Sequence, residues 1–500
     1  MKKMCLLVVF VLLVSLFLVG CTKADAPNTE SVITVVLMDK GRCSAEEGNM
    51  TSNRWTRYIN DNSGVTVEFI SVARDNFEEN LNLLLSSGMI PDVILTYEDT
   101  YVQQLIDQEL IQPIGPLLEK YSNTCKNYLD ANPELIDYLT FNGELYAMSN
   151  IRSNILDQGM WIRQDWLDAV GMNAPTTEEE FLAVCRAFKE AKLGGEDTVP
   201  LSAVTYLWDF FAPMYGAHDM WYLNENGDVE YGVLTDRFAA ATALMKTCYD
   251  EGLISREFAT DTDRSIATHS WVNGNSGILL YKASPVVIRE LLENDPTANP
   301  VPLAPFATAY GCNGFYQSAL VNAYVMISSQ CSNPESAIKY LDWLLSDGWF
   351  VLENGLEGIH YNLDENGLPV AVENDEVNAQ MRYTSAYVLL SQNKVTAKSI
   401  MANAAKDEMS QDIAKLEVLS MDVNSDYPFR RDIPRSPDVA EYGVMYSDWS
   451  LIENQLMIQG IVGGSDYTVE DMKAGLLNEW NSLGGDEVSK LVQHWYDNNY

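Results

Sequence analysis

The sequence predicts an α/β fold, and two observations carry that prediction. Short apolar strands rich in β-branched residues alternate with amphipathic helical stretches, the rhythm of a parallel sheet covered by helices. The chain is also long, 500 residues with 47% hydrophobic side chains, enough for packed cores in more than one domain.

In chain order, Met1-Lys2-Lys3 gives a positive start and Met4 to Leu18 an almost unbroken apolar run. At about fifteen residues that run is short for a bilayer span and reads as a signal peptide. Val32 to Leu37 and Val65 to Ile70 are strand-like. Between Asn76 and Ser87, the spacing of Phe77, Leu81, Leu84 and Leu85 predicts a helix closed by Gly88, and Pro91 to Leu95 supplies a third short strand. A further helix is expected over Tyr101 to Gln108. Asn142-Gly143, set between Leu139-Thr140-Phe141 and Glu144-Leu145-Tyr146, has the chemistry of a type I′ hairpin. The second half is more helical. Thr177-Glu178-Glu179-Glu180 caps a helix bearing Phe181, Val184 and Phe188, and Ser332-Asn333-Pro334-Glu335 caps one bearing Ala337, Ile338 and Leu341. Gly484-Gly485-Asp486 opens a last helix with Val488, Leu491, Val492 and Trp495 on one face.

Composition removes whole classes of function. With 32 Lys+Arg against 71 Asp+Glu, the formal net charge is −39. Nucleic-acid affinity is built from basic residues neutralising phosphates, so no nucleic-acid partner is expected, and polyanionic substrates are disfavoured. HExxH, GxSxG, P-loop and GxGxxG motifs do not occur, and Gly274-Asn275-Ser276-Gly277 falls one residue short of a nucleophile elbow. The four histidines, His218, His269, His360 and His494, lack ligand spacing. Six cysteines, Cys43, Cys125, Cys185, Cys248, Cys312 and Cys331, remain beyond the N-terminal segment. Without any CxxC pair they predict neither a disulfide framework nor thiol catalysis, and Cys312 with Cys331 is the one pairing worth testing.

Several stretches go further than spacing. Leu18-Val19-Gly20-Cys21 resembles the bacterial lipobox, in which the cysteine is lipidated and becomes the new N-terminus. Trp161-Ile162-Arg163-Gln164-Asp165-Trp166-Leu167-Asp168-Ala169-Val170-Gly171, followed by Ala174-Pro175-Thr176-Thr177 and Glu180-Phe181, resembles the strand-to-helix signature of bacterial extracellular solute-binding lipoproteins of the family 1 type. Those proteins are substrate-capture subunits of carbohydrate ABC importers. In that signature Asp165 is expected to cap a short helix and Gly171 to stop it. Further matches follow in order at Pro91-Asp92-Val93-Ile94, Asn142 to Ala147, Tyr249 to Ile254, Ser332 to Ile338, Asn354 to Tyr361, Glu479-Trp480, Gly484-Gly485-Asp486 and Trp495-Tyr496.

The resemblance implies two α/β lobes in a periplasmic-binding-protein-like fold, with a hinge and a ligand cleft between the lobes. By it, 1–20 is the lipoprotein signal peptide and 21–30 the tether. The first lobe takes 31–150 plus 285–330, and the second, more helical lobe 151–284 plus 331–500. The implied function is capture of a neutral oligosaccharide and delivery to separately encoded ABC permease subunits. The monomer is held to the outer face of the cytoplasmic membrane by a diacylglyceryl anchor on Cys21, two acyl chains being needed for stable anchoring. A surface glycoside hydrolase stays open as an alternative, since it needs only two carboxylates about 5 or 9 Å apart, as does a peptide-binding or sensory lipoprotein.

A sugar's C–H faces stack on aromatic rings and its hydroxyls need polar partners. The expected ligand-binding residues pair the two: Trp208, Asp209 and Tyr215; Trp271 and Asn273 in a Gly-rich loop; Tyr310, Phe315 and Tyr316; His360 and Tyr361. Arg152 and Trp161 flank the expected inter-lobe crossing. Glu98 and Asp99 follow the third strand at its carboxyl end, where open α/β sheets bind ligands. No catalytic residue, cofactor or metal is expected. Many relatives carry an EF-hand-like calcium loop where this chain has Lys189 to Pro200, which lacks the alternating oxygen ligands. Asn224-Glu225-Asn226-Gly227-Asp228 reads as a hairpin turn instead.

Overall fold

Nine strands form the two principal sheets: β1 (Val32–Asp39), β2 (Thr66–Ala73), β3 (Val93–Thr96), β4 (Ala147–Met148), β5 (Met160–Arg163), β6 (Leu201–Ser202), β7 (Ile278–Leu280), β8 (Pro300–Leu303) and β9 (Tyr324–Ile327). The computed structural model describes residues 32–152, 159–203, 207–281, 284–372, 374–430 and 433–500. The expected signal peptide, Cys21 and the tether lie outside the described residues.

The first sheet has the order β2-β1-β3-β9-β4, with β1 parallel to β2 and β3, and β9 antiparallel to β3 and β4. Val35, Val36 and Leu37 are consecutive and all fully buried, which requires cover on both faces. Part of that cover is the helix Phe77–Ser86, which buries Phe77, Leu81 and Leu85 and leaves Leu83 in solvent. The hairpin forms as its turn chemistry demands: Thr140–Phe141 pairs with Glu144–Leu145, and Asn142 and Gly143 take φ of 51° and 80°. The second sheet has the order β8-β5-β7-β6. Thr177 caps Glu178–Glu190 through the Glu180 amide, and Asn333 caps Pro334–Trp343 through the Ser336 amide.

Three expectations are corrected. Asp165 does not cap the helix Gln164–Val170; its carboxylate pairs with Arg163 at 2.6 Å. Arg163 is 2% exposed, and an ion so buried needs the charges of Asp165 and of Asp295, at 2.8 Å. The lobe assignment changes at two places. Residues 285–316 belong to the second lobe, because β8 pairs with β5, the helix Pro285–Asn294 packs Val287, Ile288 and Leu291 with Trp161 and Trp271, and Phe306 and Phe315 join the second core. Residues 331–390 belong to the first, because Ala337, Ile338 and Leu341 share one core with Ile33 and Val35. Burial on the nearer sheet face sets both, and helix content alone did not carry that information.

Of the described cysteines, all are free: Cys185 and Cys248 are buried in the second core, Cys331 is buried in the first, and Cys312 is exposed. The hairpin between Trp221–Leu223 and Val229–Tyr231 forms as expected, with the Asn224 side chain accepting from the Asn226 and Asp228 amides. Among the described residues, no group of three or more His, Cys, Asp or Glu is placed to hold a metal, and no helix is long and apolar enough to cross a membrane.

The chain passes between lobes after β4, before β9 and again between Leu390 and Ile413. The first two passes run side by side. Ile151 bridges Val321, and the Arg152 amide donates to the Leu320 carbonyl at 2.7 Å, so the crossing is a paired hinge.

Candidate interlobe binding cleft

A cleft of about 960 Å³ lies beside this hinge and takes its walls from both lobes. From the first lobe come Tyr97, Glu98 and Asp99 at the carboxyl end of β3, then Gln103, Gln104 and Asp107 on the helix Asp99–Asp107 that follows. Tyr138 and Phe141 add rings, and Arg152, Val321 and Tyr324 line the hinge side. The second lobe contributes Met220, Trp221, Tyr316, Tyr442, Tyr446 and the loop from Ile433 to Val439.

Local sequence explains how these groups are aimed. In the short strand Phe315–Tyr316, paired to Pro428–Phe429, alternation turns Phe315 inward and Tyr316 to the cleft. Gly314 allows that pairing, since a Cβ there would overlap the Tyr427 carbonyl. Trp221 is held by Tyr231 at 5.1 Å, Tyr442 at 5.5 Å and Trp480 at 5.8 Å, mostly edge to face. Two prolines flank Arg435 and Ser436 and hold the loop extended toward the first lobe. There the Ser436 amide donates to Asp99 Oδ2 at 2.5 Å, and the Arg435 guanidinium lies over Phe141 at 4.2 Å.

The electrostatics of the walls are acidic. Crowding by protein, then Glu78 and Asp99, raise the Glu98 carboxyl above its ordinary range. Asp438 is raised by desolvation and by Asp107 of the other lobe, with Arg435 opposing. Behind the second wall, burial and Asp219 push Glu453 up to about 8, against the Tyr231 hydroxyl that donates to it at 3.1 Å. Burial and Asp219 likewise push Asp209 up to about 6.

Of the residues expected to bind ligand, the structure places Glu98, Asp99, Arg152 and Tyr316 on the cleft wall. It sends the others elsewhere. Trp161 and Trp271 are buried together on the far face of the second sheet, and Asn273 is exposed at the end of the helix Ser265–Val272 beside them. Trp208 is a core residue stacked on Phe238 and donating to Thr242, and Asp209 is not among the residues lining the cleft. Tyr215 is buried against Tyr310, which lines a separate hollow of about 480 Å³ between the helices Asp236–Asp250 and Val469–Ser482. Phe315 faces the core. His360 is buried in the first lobe, its Nδ1 accepting from the Leu356 amide and its Nε2 meeting Gln380, and Tyr361 is buried beside Phe350. Sequence reasoning missed Trp221, Tyr442 and Asp438; only Pro434-Arg435-Ser436-Pro437 carried a local signal, a polar pair rigidified by prolines.

Such an arrangement can stack apolar faces on rings, accept hydroxyl protons on carboxylates, and shed water by lobe closure. Comparison with known proteins agrees with the architecture. The chain is 22% identical to Lipoprotein LipO of Bacillus subtilis (strain 168) over 373 residues, 71% of this chain and 73% of that one. It is 26% identical over 227 residues to the fructooligosaccharide ABC transporter substrate-binding protein FusA of Streptococcus pneumoniae serotype 4 (strain ATCC BAA-334 / TIGR4), spanning 41% of this chain and 42% of that relative. The crystal structure of the alginate-binding protein AlgQ2 without calcium ion superposes with a TM-score of 0.68 at 19% identity, covering 94% of this chain and 98% of that one. The sequence profile of the bacterial extracellular solute-binding proteins matches residues 49–349, more than half the chain, and on that match this chain belongs to that family.

Proposed function

We propose that this chain captures a neutral oligosaccharide in the interlobe cleft and hands it to a separate ABC permease, while a lipidated Cys21 holds the monomer at the outer face of the cytoplasmic membrane. The observation that carries the reading is the composition of the cleft. Trp221, Tyr316, Tyr442 and Tyr138 offer stacking faces beside Glu98, Gln103, Gln104 and Asp438, polar groups suited to a hydroxyl fringe. The relative named for fructooligosaccharide supports the ligand class and the transporter role, and the relative named a lipoprotein supports the anchor.

The test is a thermal-shift screen of the chain from Thr22 onward against oligosaccharides, monosaccharides and short peptides, with product analysis on each hit. A ligand that binds only the folded state raises the melting temperature by mass action. The expected result is stabilisation by an oligosaccharide recovered intact. Cleaved sugar would make the protein a hydrolase, and a response to peptides alone would overturn the sugar reading. Cys21→Ala is expected to release the protein from cells into the medium; membrane retention of that variant would refute the anchor.

A further inference from the structure

We infer that the cleft chooses among oligosaccharides by charge, with Glu98 on the first lobe and Asp438 on the second as the specificity-determining pair that turns away chains bearing carboxylates. This rests on the reading that the cleft holds an oligosaccharide, and adds which ones it refuses and by which residues.

The cleft sets four carboxylates, Glu98, Asp99, Asp107 and Asp438, against two guanidiniums, Arg152 and Arg435. Holding a ligand carboxylate takes a guanidinium with its planar fork turned to the ligand. In both, the fork formed by Nε and Nη2 is turned to the protein. Arg152 Nε donates to the Ala319 carbonyl at 3.1 Å and its Nη2 to Val321 at 3.4 Å, bracing the hinge strands. Arg435 is 5% exposed, its Nε donating to Tyr500 Oη at 2.9 Å and its Nη2 to Asn499 Oδ1 at 3.4 Å, with its face on Phe141.

The carboxylates are not equally committed. Asp99 accepts the Ser436 amide, whereas among the described residues no hydrogen-bond donor reaches the carboxylates of Glu98 and Asp438. Glu98 stands beside Glu78 and Asp99, and Asp438 faces Asp107 across the gap between lobes, with Arg435 opposing. A sugar hydroxyl donates to such an acceptor and relieves its exposure to like charge. A uronate carboxylate cannot donate. It would add a fifth negative group to a space that closes against water, on a chain already at −39.

The experiment is isothermal titration of the chain from Thr22 onward with two length-matched panels, neutral oligogalactosides and oligogalacturonates, extended to whichever neutral chain binds in the screen and its uronate counterpart. Uronate chains are expected to bind at least about tenfold more weakly than neutral ones, and Glu98→Gln with Asp438→Asn to raise the uronate-to-neutral affinity ratio by at least about tenfold. Should that double variant lose its folded circular dichroism, the wild-type ratio is read between about 0.02 M and about 0.5 M salt, where screening is expected to raise it. Uronates binding as tightly as their neutral counterparts, or a ratio moved by neither substitution nor salt, would overturn the charge filter and leave oligosaccharide capture standing. Failure of every sugar of either charge would overturn capture, and the filter with it.

Discussion

Trp271 and Trp221 show what a single residue's surroundings decide. Trp271 is fully buried among Trp161, Val287 and Leu291, so Trp271→Ala is expected to cost about 3–5 kcal/mol of stability. Trp221 lines the cleft from an aromatic frame, and Trp221→Ala is expected to weaken sugar binding by about 1–3 kcal/mol. Denaturant titration and calorimetric binding on both variants separate the two costs; equal effects of both on binding would refute the placement. Glu453 makes a second prediction at this scale. Its carboxyl, raised to about 8, stays protonated in the folded chain while the unfolded chain ionises near 4.5, so the folded state binds the extra proton between those values. Stability is therefore highest below about 4.5 on this account and falls as pH rises toward 8. Glu453→Gln is expected to flatten that fall, a difference of a few kcal/mol at most, read from melting curves across the same pH window. A slope unchanged in the variant would show that Glu453 does not titrate as its burial implies.

At the scale of elements, the joint between Phe315–Tyr316 and Pro428–Phe429 carries a wall of the cleft on a strand of two residues. Gly314→Ala is expected to force the Tyr427 carbonyl away, to destabilise the second lobe by more than about 1 kcal/mol, and to weaken ligand binding by moving Tyr316. Calorimetric unfolding with a binding titration checks both halves, and a neutral effect on each would show that the joint can give. Elements were the most legible scale in the sequence. Asn142-Gly143, Thr177 and Asn333 act through neighbours within a few residues, so their turns and caps could be read directly. The cleft was not legible in the same way. Phe315 and Tyr316 differ only by which side of a strand they occupy, and Trp161 looks like a binding residue until the helix Pro285–Asn294 covers it. Glu98 and Asp99 were readable because the carboxyl end of β3 follows from the strand alone. Asp438 was not, because its meaning comes from Asp107 on the other lobe.

For the whole molecule, a paired hinge between Ile151 and Val321 and a cleft walled by both lobes predict that a ligand draws the lobes together. Solution scattering is expected to show a smaller radius of gyration with the bound sugar than without, against a single-body expectation of about 23 Å for this length. No change at saturation would mean that the lobes are locked by contacts such as Ser436 to Asp99. Arg152→Ala is expected to enlarge the unliganded radius by freeing the hinge strands.

The placement of β9 has a consequence in time. It is the penultimate strand of the first sheet, between β3 and β4, yet it emerges some two hundred residues after them. Until it arrives, β3 and β4 cannot be joined, and the helix Pro334–Trp343 that shares their core is still unmade. The first half of the nascent chain is therefore kept from closing its own core until β9 has been made, well into the second half of the sequence. On the proposed route to the cell surface, that delay would keep the polypeptide threadable while its leading end crosses the membrane.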